Sequence, residues 1–170
     1  TQTAVPVAAA EGGDDGEGLS LDHMLTRVAV VVSAVDVPVS ADLESGYGVE
    51  PDLLVEGLLA AGAVGVNLED TVHSEGDRSR TTSEHAAYIR GVREAADDRG
   101  VHVVVNGRTD ILLHRLGPEE DRLDRAIERL SALADAGADA LYPVGVHDDA
   151  TWQRLVEALP LPLNALAHPG

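Results

Sequence analysis

The chain has 170 residues with no Cys, no Lys and no Phe, and sets 30 acidic residues against 12 basic ones, all Arg, for a formal charge of −18. Without Lys or Cys there is no Schiff-base or pyridoxal anchor, no P-loop lysine, no thiol nucleophile, no thiolate zinc site and no disulfide framework. Such an acidic surface repels phosphate backbones and anionic lipid, so neither nucleic acid nor membrane is an expected partner, whereas divalent cations are attracted.

At 44% hydrophobic and 25% charged, the composition is that of one globular domain with a sizeable core. With no Phe, one Trp and three Tyr, that core must be built from Val, Leu and Ala. No apolar run approaches ~20 residues and no basic N-terminal segment precedes an apolar stretch, so neither a membrane span nor a secretory signal is expected, and a cytoplasmic placement is.

In chain order, a ragged strand is predicted near residues 3–9, followed by a Gly/Asp loop from Glu11 to Gly18. Ser20 can cap a helix whose apolar positions Met24, Leu25, Val28, Val31 and Val32 recur at helical spacing. A strand over 37–44 follows, then a helix with Pro51 in its first turn and Gly62 as its stop. A strand over 64–69 leads into the polar stretch 71–82, long enough for a lid over a site. Thr81 and Glu84 suit a capping box for a helix closed by Gly100. A strand over 101–108 is next, and Pro118, Glu119 and Glu120 open a helix running to Gly137. A strand over 139–144, a helix around Trp152, Leu155 and Val156, and a strand over 161–166 complete the set. This alternation of about six strands and five helices is the signature of parallel strands joined by helical crossovers, and the helix exits Ala61-Gly62-Ala63 and Ala136-Gly137-Ala138 mark one reused unit.

Side chains alternate across a strand, so parity separates two faces. Val37, Val39, Ala41 and Leu43 oppose Ser40, Asp42 and Glu44; Val64, Val66 and Leu68 oppose Gly65, Asn67 and Glu69; Val101, Val103 and Val105 oppose His102, Asn106 and Arg108. Each strand buries one face and carries polar groups toward its carboxyl end, where ligands bind in parallel α/β folds. Three converging carboxylates, Asp42, Glu44 and Glu69, repel unless a cation neutralises them, and hard oxygens suit Mg²⁺ or Mn²⁺. Arg108 offers a fork for a substrate carboxylate or phosphate. The blander reading has Asp42 and Glu44 capping a turn and Arg108 pairing with one acid. His73, His85, His114 and His147 are expected to be solvated, and His102 to lie in the interior.

The segments Ala41-Asp42-Leu43-Glu44-Ser45-Gly46-Tyr47-Gly48, Gly65-Val66-Asn67-Leu68-Glu69-Asp70 and Asn106-Gly107-Arg108-Thr109-Asp110 together resemble the isocitrate lyase and phosphoenolpyruvate mutase superfamily. The resemblance implies an α/β fold of the (β/α)₈ TIM-barrel type, a small 2-oxo carboxylate substrate handled through its enolate, and a Mg²⁺ or Mn²⁺ cofactor. By position it implies Asp42, Glu44 and Glu69 around the metal, Arg108 and Asn67 on the substrate, and Asp15 in the loop after the second strand as a catalytic residue. Thr3 and Ala4 fall where family members hold the substrate carboxylate by backbone amides.

The true lyases resembled here carry a Lys-Lys-Cys-Gly-His type segment, and the mutases carry Lys and Asn, where 71–82 reads Thr-Val-His-Ser-Glu-Gly-Asp-Arg-Ser-Arg-Thr-Thr. Isocitrate-type cleavage and phosphonate formation are therefore disfavoured against decarboxylation or hydrolysis of an oxaloacetate-like acid. A barrel of this type needs about 250 residues, so the chain is expected to form a single partial barrel over 1–170 comprising strands 2 to 7. Open sheet edges make a homo-oligomer expected, and an inactive module that self-associates through those edges is the alternative.

Overall fold

The computed structural model describes residues 18–166. The strand expected at 3–9, and with it Thr3, Ala4 and Asp15, lies outside the described residues. Helix α1 (Leu21–Ala34) is capped by Ser20, whose hydroxyl accepts the His23 N–H, and it buries Met24 and Val28. Helix α2 (Pro51–Ala60) has Pro51 in its first turn and buries Leu54, Val55 and Leu58. Helix α3 (Thr82–Asp98) opens on the expected capping box, with Thr81 and Glu84 bonding reciprocally. Helices α4 (Arg122–Asp135) and α5 (Asp149–Ala158) complete the expected five. Helix α4 begins later than its sequence suggests, because Glu119 to Asp121 form a turn and Asp121 makes no side-chain cap.

Strands β1 (Ser40–Asp42), β2 (Gly65–Leu68), β5 (Val104–Thr109) and β6 (Ala140–Pro143) form a parallel sheet in the order β1-β2-β5-β6. Successive strands are neighbours, as in the wall of a (β/α) barrel, and the described sheet is an arc that does not close on itself. Between β2 and α3, the stretch expected as a loop is an antiparallel hairpin, β3 (Thr71–Val72) and β4 (Arg78–Ser79), around a 3₁₀ turn at His73–Glu75.

Several strands are shorter than predicted. Residues 37–39 do not pair as strand, and Val37 is half exposed. The pairing of β5 begins at Val104, so His102 lies outside the sheet with a 66% exposed side chain, bonded to Asp139 at 2.8 Å, and is not interior. The stretch 161–166 reduces to one bridge, Leu141 with Leu163, since Pro160 and Pro162 bring no N–H to a ladder.

The helix exits are built alike. Ala63 N–H donates to Leu58, Val101 to Ala96 and Ala138 to Leu133 at 3.1–3.2 Å, and each pair spans a glycine at positive φ, Gly62, Gly100 and Gly137. This closure drops the chain from the end of a helix back to the start of the next strand. It also threads Ala63, Val66, Leu68, Val103, Val105 and Leu141 into a continuous core with Leu58, Ile89, Val92, Leu130 and Leu133. The opposite face of the sheet is left for chemistry.

Candidate functional site

The strand register lays the polar residues out in rows. Asp42 pairs with Asn67, Asn67 with Asn106, and Asn106 with Ala140. Their side chains join laterally: Asn67 Nδ2 donates to Asp42 Oδ1 at 3.0 Å, Asn106 Nδ2 to Asn67 Oδ1 at 2.7 Å, and Asn164 Nδ2 to Asn106 Oδ1 at 2.7 Å. Asn67 and Asn106 each donate forward and accept from behind, so the chain of bonds fixes its own polarity and ends on a carboxylate.

Two residues further along, Glu44, Glu69, Arg108 and Tyr142 occupy the same face. Glu69 N–H donates to Glu44 O at 2.8 Å, and Arg108 stands opposite Tyr142. Arg108 Nη1 lies 2.7 Å from Glu69 Oε2 and 3.9 Å from Asp42 Oδ2, and its Nε donates to Asp110 Oδ1 at 2.7 Å. Glu44 sits at φ 47, a left-handed turn stabilised where its N–H donates to Asp42 Oδ1 at 3.2 Å. Tyr47 donates its hydroxyl proton to Glu44 at 3.4 Å. Asp42 and Glu44 thus do form a capped turn and Arg108 does pair with an acid, while the convergence of the polar strand ends is equally present.

The electrostatics reflect crowding. Glu69 is pushed up to about 8 by burial, with Asp110 and Asp42 adding to the rise against the pull of Arg108. Burial opposes the charge on Arg108, yet Glu69 and Asp110 hold its pKa above the usual value. One guanidinium therefore leaves the acids incompletely neutralised. Among the described residues no three His, Asp or Glu side chains are grouped closely enough, as they stand, to hold a metal ion. The donor set nevertheless has the chemistry a hard divalent cation takes: carboxylate oxygens on two neighbouring strand ends, and an Asp42 side chain that is 32% exposed.

Several residues here escaped the sequence reading. His73 is not simply solvated, because its Nε2 lies 2.9 Å from Glu69 Oε1 and its Nδ1 2.7 Å from Asp77 Oδ1. Its place four residues after Glu69 was the available signal. His85 is fully buried on α3 rather than exposed, with neither ring nitrogen hydrogen-bonded. Asp70 and Asp110, both buried, hold the strand ends from behind: Asp70 accepts from Thr109 Oγ1 at 2.6 Å, from the Asp110 N–H at 2.9 Å and from Arg129 Nη1 at 2.6 Å. Asn164 arrives from the segment after α5 that was expected to be a strand. No helix among the described residues is long and apolar enough to cross a membrane.

A family model described as phosphoenolpyruvate phosphomutase matches residues 1–170. The chain is 29% identical over 169 residues to the 2-methylisocitrate lyase of Escherichia coli (strain K12), covering 94% of this chain and 54% of that one. It is 31% identical over 163 residues to the oxaloacetate decarboxylase of Rhodopseudomonas palustris, covering 93% and 54%. Among solved structures, a Burkholderia cenocepacia J2315 protein assigned to the phosphonomutases superposes with a TM-score of 0.84 at 41% identity, covering 92% of this chain and 65% of that one. An oxaloacetate acetylhydrolase with its product oxalate superposes with a TM-score of 0.79 at 27% identity, covering 95% and 57%. The chain spans about half the length of the curated relatives it matches.

Proposed function

Because the chain belongs to the phosphoenolpyruvate phosphomutase family, we propose that its row of polar strand ends binds a small 2-oxo carboxylate and stabilises the enolate formed when a bond beside the oxo group is broken or made. The observation that carries this is the meeting of two bonded pairs from three adjacent strand ends, Asp42 with Asn67 at 3.0 Å and Glu69 with Arg108 at 2.7 Å, with Arg108 Nη1 3.9 Å from Asp42 Oδ2. Arg108 is the carboxylate clamp. Its Nε and Nη1 are held by Asp110 and Glu69, which leaves Nη2 and the edge of the fork for substrate. Asn67 orients an oxygen of the substrate from a position fixed on both sides by Asp42 and Asn106. Asp42, Glu44 and Glu69 would hold a divalent cation, Mg²⁺ or Mn²⁺, which when bound supplies positive charge for a developing enolate oxygen. With no Cys or Lys in the chain, decarboxylation or hydrolysis of an oxaloacetate-like acid is favoured over isocitrate-type cleavage.

The test uses oxalate, a planar dicarboxylate that imitates such an enolate. Calorimetric titration is expected to give oxalate binding only when MgCl₂ or MnCl₂ is present. Asp42→Ala should weaken it by roughly a hundredfold or more, since loss of even an outer-shell partner costs up to that much. No oxalate binding with either cation, or equal binding by Asp42→Ala, would refute the reading.

A further inference from the structure

Behind the clamp lies a second, wholly buried polar cluster that touches no substrate position. Arg129, on α4, donates from Nη1 to Asp70 Oδ2 at 2.6 Å, and the pair is 9% and 0% exposed. Asp70 in turn accepts the Thr109 hydroxyl at 2.6 Å and the Asp110 N–H at 2.9 Å. The Asp110 carboxylate then divides its oxygens: Oδ1 accepts from Arg108 Nε at 2.7 Å and Oδ2 from the Thr71 hydroxyl at 2.7 Å. Every link is short, and every acid has a donor on each oxygen.

We propose that Arg129 and Asp70 are positioning residues for Arg108, acting through Thr109 and Asp110. This rests on the reading of Arg108 as the substrate clamp. A guanidinium at the end of a flexible side chain has several rotamers, and Glu69 alone restrains only one nitrogen. Asp110 restrains a second, but only while its own backbone is held. That hold is Asp70, which grips the chain at two consecutive residues, and Arg129 sets an opposite charge against this buried side chain. The helix layer therefore sets the direction of a side chain on the opposite face of the sheet. Thr71 brings the hairpin into the same relay, and Arg129 Nη1 also lies 3.4 Å from Ser79 Oγ on the other hairpin strand.

The experiment follows the Arg108 Nε–H by nitrogen-15 NMR, its peak assigned by loss in Arg108→Lys, and measures its hydrogen exchange without substrate or metal. Thr109→Val removes the hydroxyl bond to Asp70 with nearly the same shape, and Thr109→Ser restores it. Exchange of the Arg108 Nε–H is expected to rise about tenfold in Thr109→Val and in Arg129→Met, and to return to the parent rate in Thr109→Ser. The Val105 amide, bonded to Asp139 Oδ2 at 2.8 Å in the same strand, should keep its parent rate, which separates the relay from general loosening. If Arg129→Met does not fold, the Thr109 pair decides alone. Unchanged Arg108 exchange in Thr109→Val, or an equal rise in Thr109→Ser, overturns the proposal. Because no ligand is used, failure of oxalate to bind the parent would sink the functional reading while leaving this result to stand by itself.

Discussion

Acidification should expose the state of His85. Its ring is fully buried, and burial first, then the positive fields of Arg129 and Arg80, lower its pKa from 6.5 to about 3, with Asp110 pulling the other way. The Leu68 carbonyl also favours the protonated ring, though it lies outside hydrogen-bond geometry. The unfolded chain takes a proton on this residue below pH 6.5 and the native protein does not until about pH 3. Stability from the neutral ring is therefore complete above pH 6.5 and is lost as the pH falls through that window. The slope is about 1.4 kcal/mol per pH unit, so about two units of acidification below pH 6.5 remove about 3 kcal/mol, a large part of a typical total of about 5–15 kcal/mol.

Urea unfolding at a series of pH values, comparing the parent with His85→Leu, isolates this contribution. Carboxyls whose pKa values are lowered, Asp52 by Arg99, Glu84 by Thr81 and Asp148 by Thr151, destabilise both proteins alike on acidification. The parent should lose about 3 kcal/mol more than the variant between about pH 6.5 and 4.5. Parallel curves, or an imidazole that titrates near its ordinary value in the folded parent, would refute the reasoning.

Other substitutions probe the backbone that carries the site. Gly46→Ala places a Cβ 2.2 Å from the Tyr88 hydroxyl at φ +96, so it should cost about 2–4 kcal/mol; a thermal midpoint equal to the parent's would count against that turn. Thr81→Ala removes the side-chain half of the capping box and should cost about 1 kcal/mol in denaturant unfolding, with Thr81→Ser close to neutral. An equal loss in both Thr81 variants would show that the hydroxyl is not the stabilising group.

Much of the fold was legible because the signals are local. Ser20, Pro51, Thr81 with Glu84, and Gly62, Gly100 and Gly137 act through backbone bonds within a few residues, and each appears where its chemistry predicts. Parity placed Asp42, Asn67, Glu69 and Arg108 on one face because a strand leaves only two choices. Strand ends were less legible, since apolar residues such as Val37 and Val101 look the same whether they pair or merely approach the sheet. The site's rear wall was hidden for another reason. Asp70 meets Arg129 across 59 residues of sequence, and nothing local distinguishes Arg129 from Arg122 or Arg125, which bond nearby loop carbonyls and acids instead. His85 was misjudged on its residue type, although Ile89 and Val92, four and seven positions further on, place it on the buried stripe of α3.

The alternation along β2 has a consequence for how this surface can change. Val66 and Leu68 are core while Asn67 and Glu69 are site, so the four share one phase. An insertion or deletion of one residue between Gly65 and Glu69 would trade the two sets, driving an amide and a carboxylate among leucines and setting apolar groups against Arg108. Only changes of two residues preserve the phase, and those move the side chains by about 6.6 Å along the strand, beyond the reach of the bonds to Asp42 and Asn106. Variation that keeps this protein folded is thereby confined to exchanging side chains in place, or to lengthening the segments beyond the strand ends, such as the hairpin after Glu69.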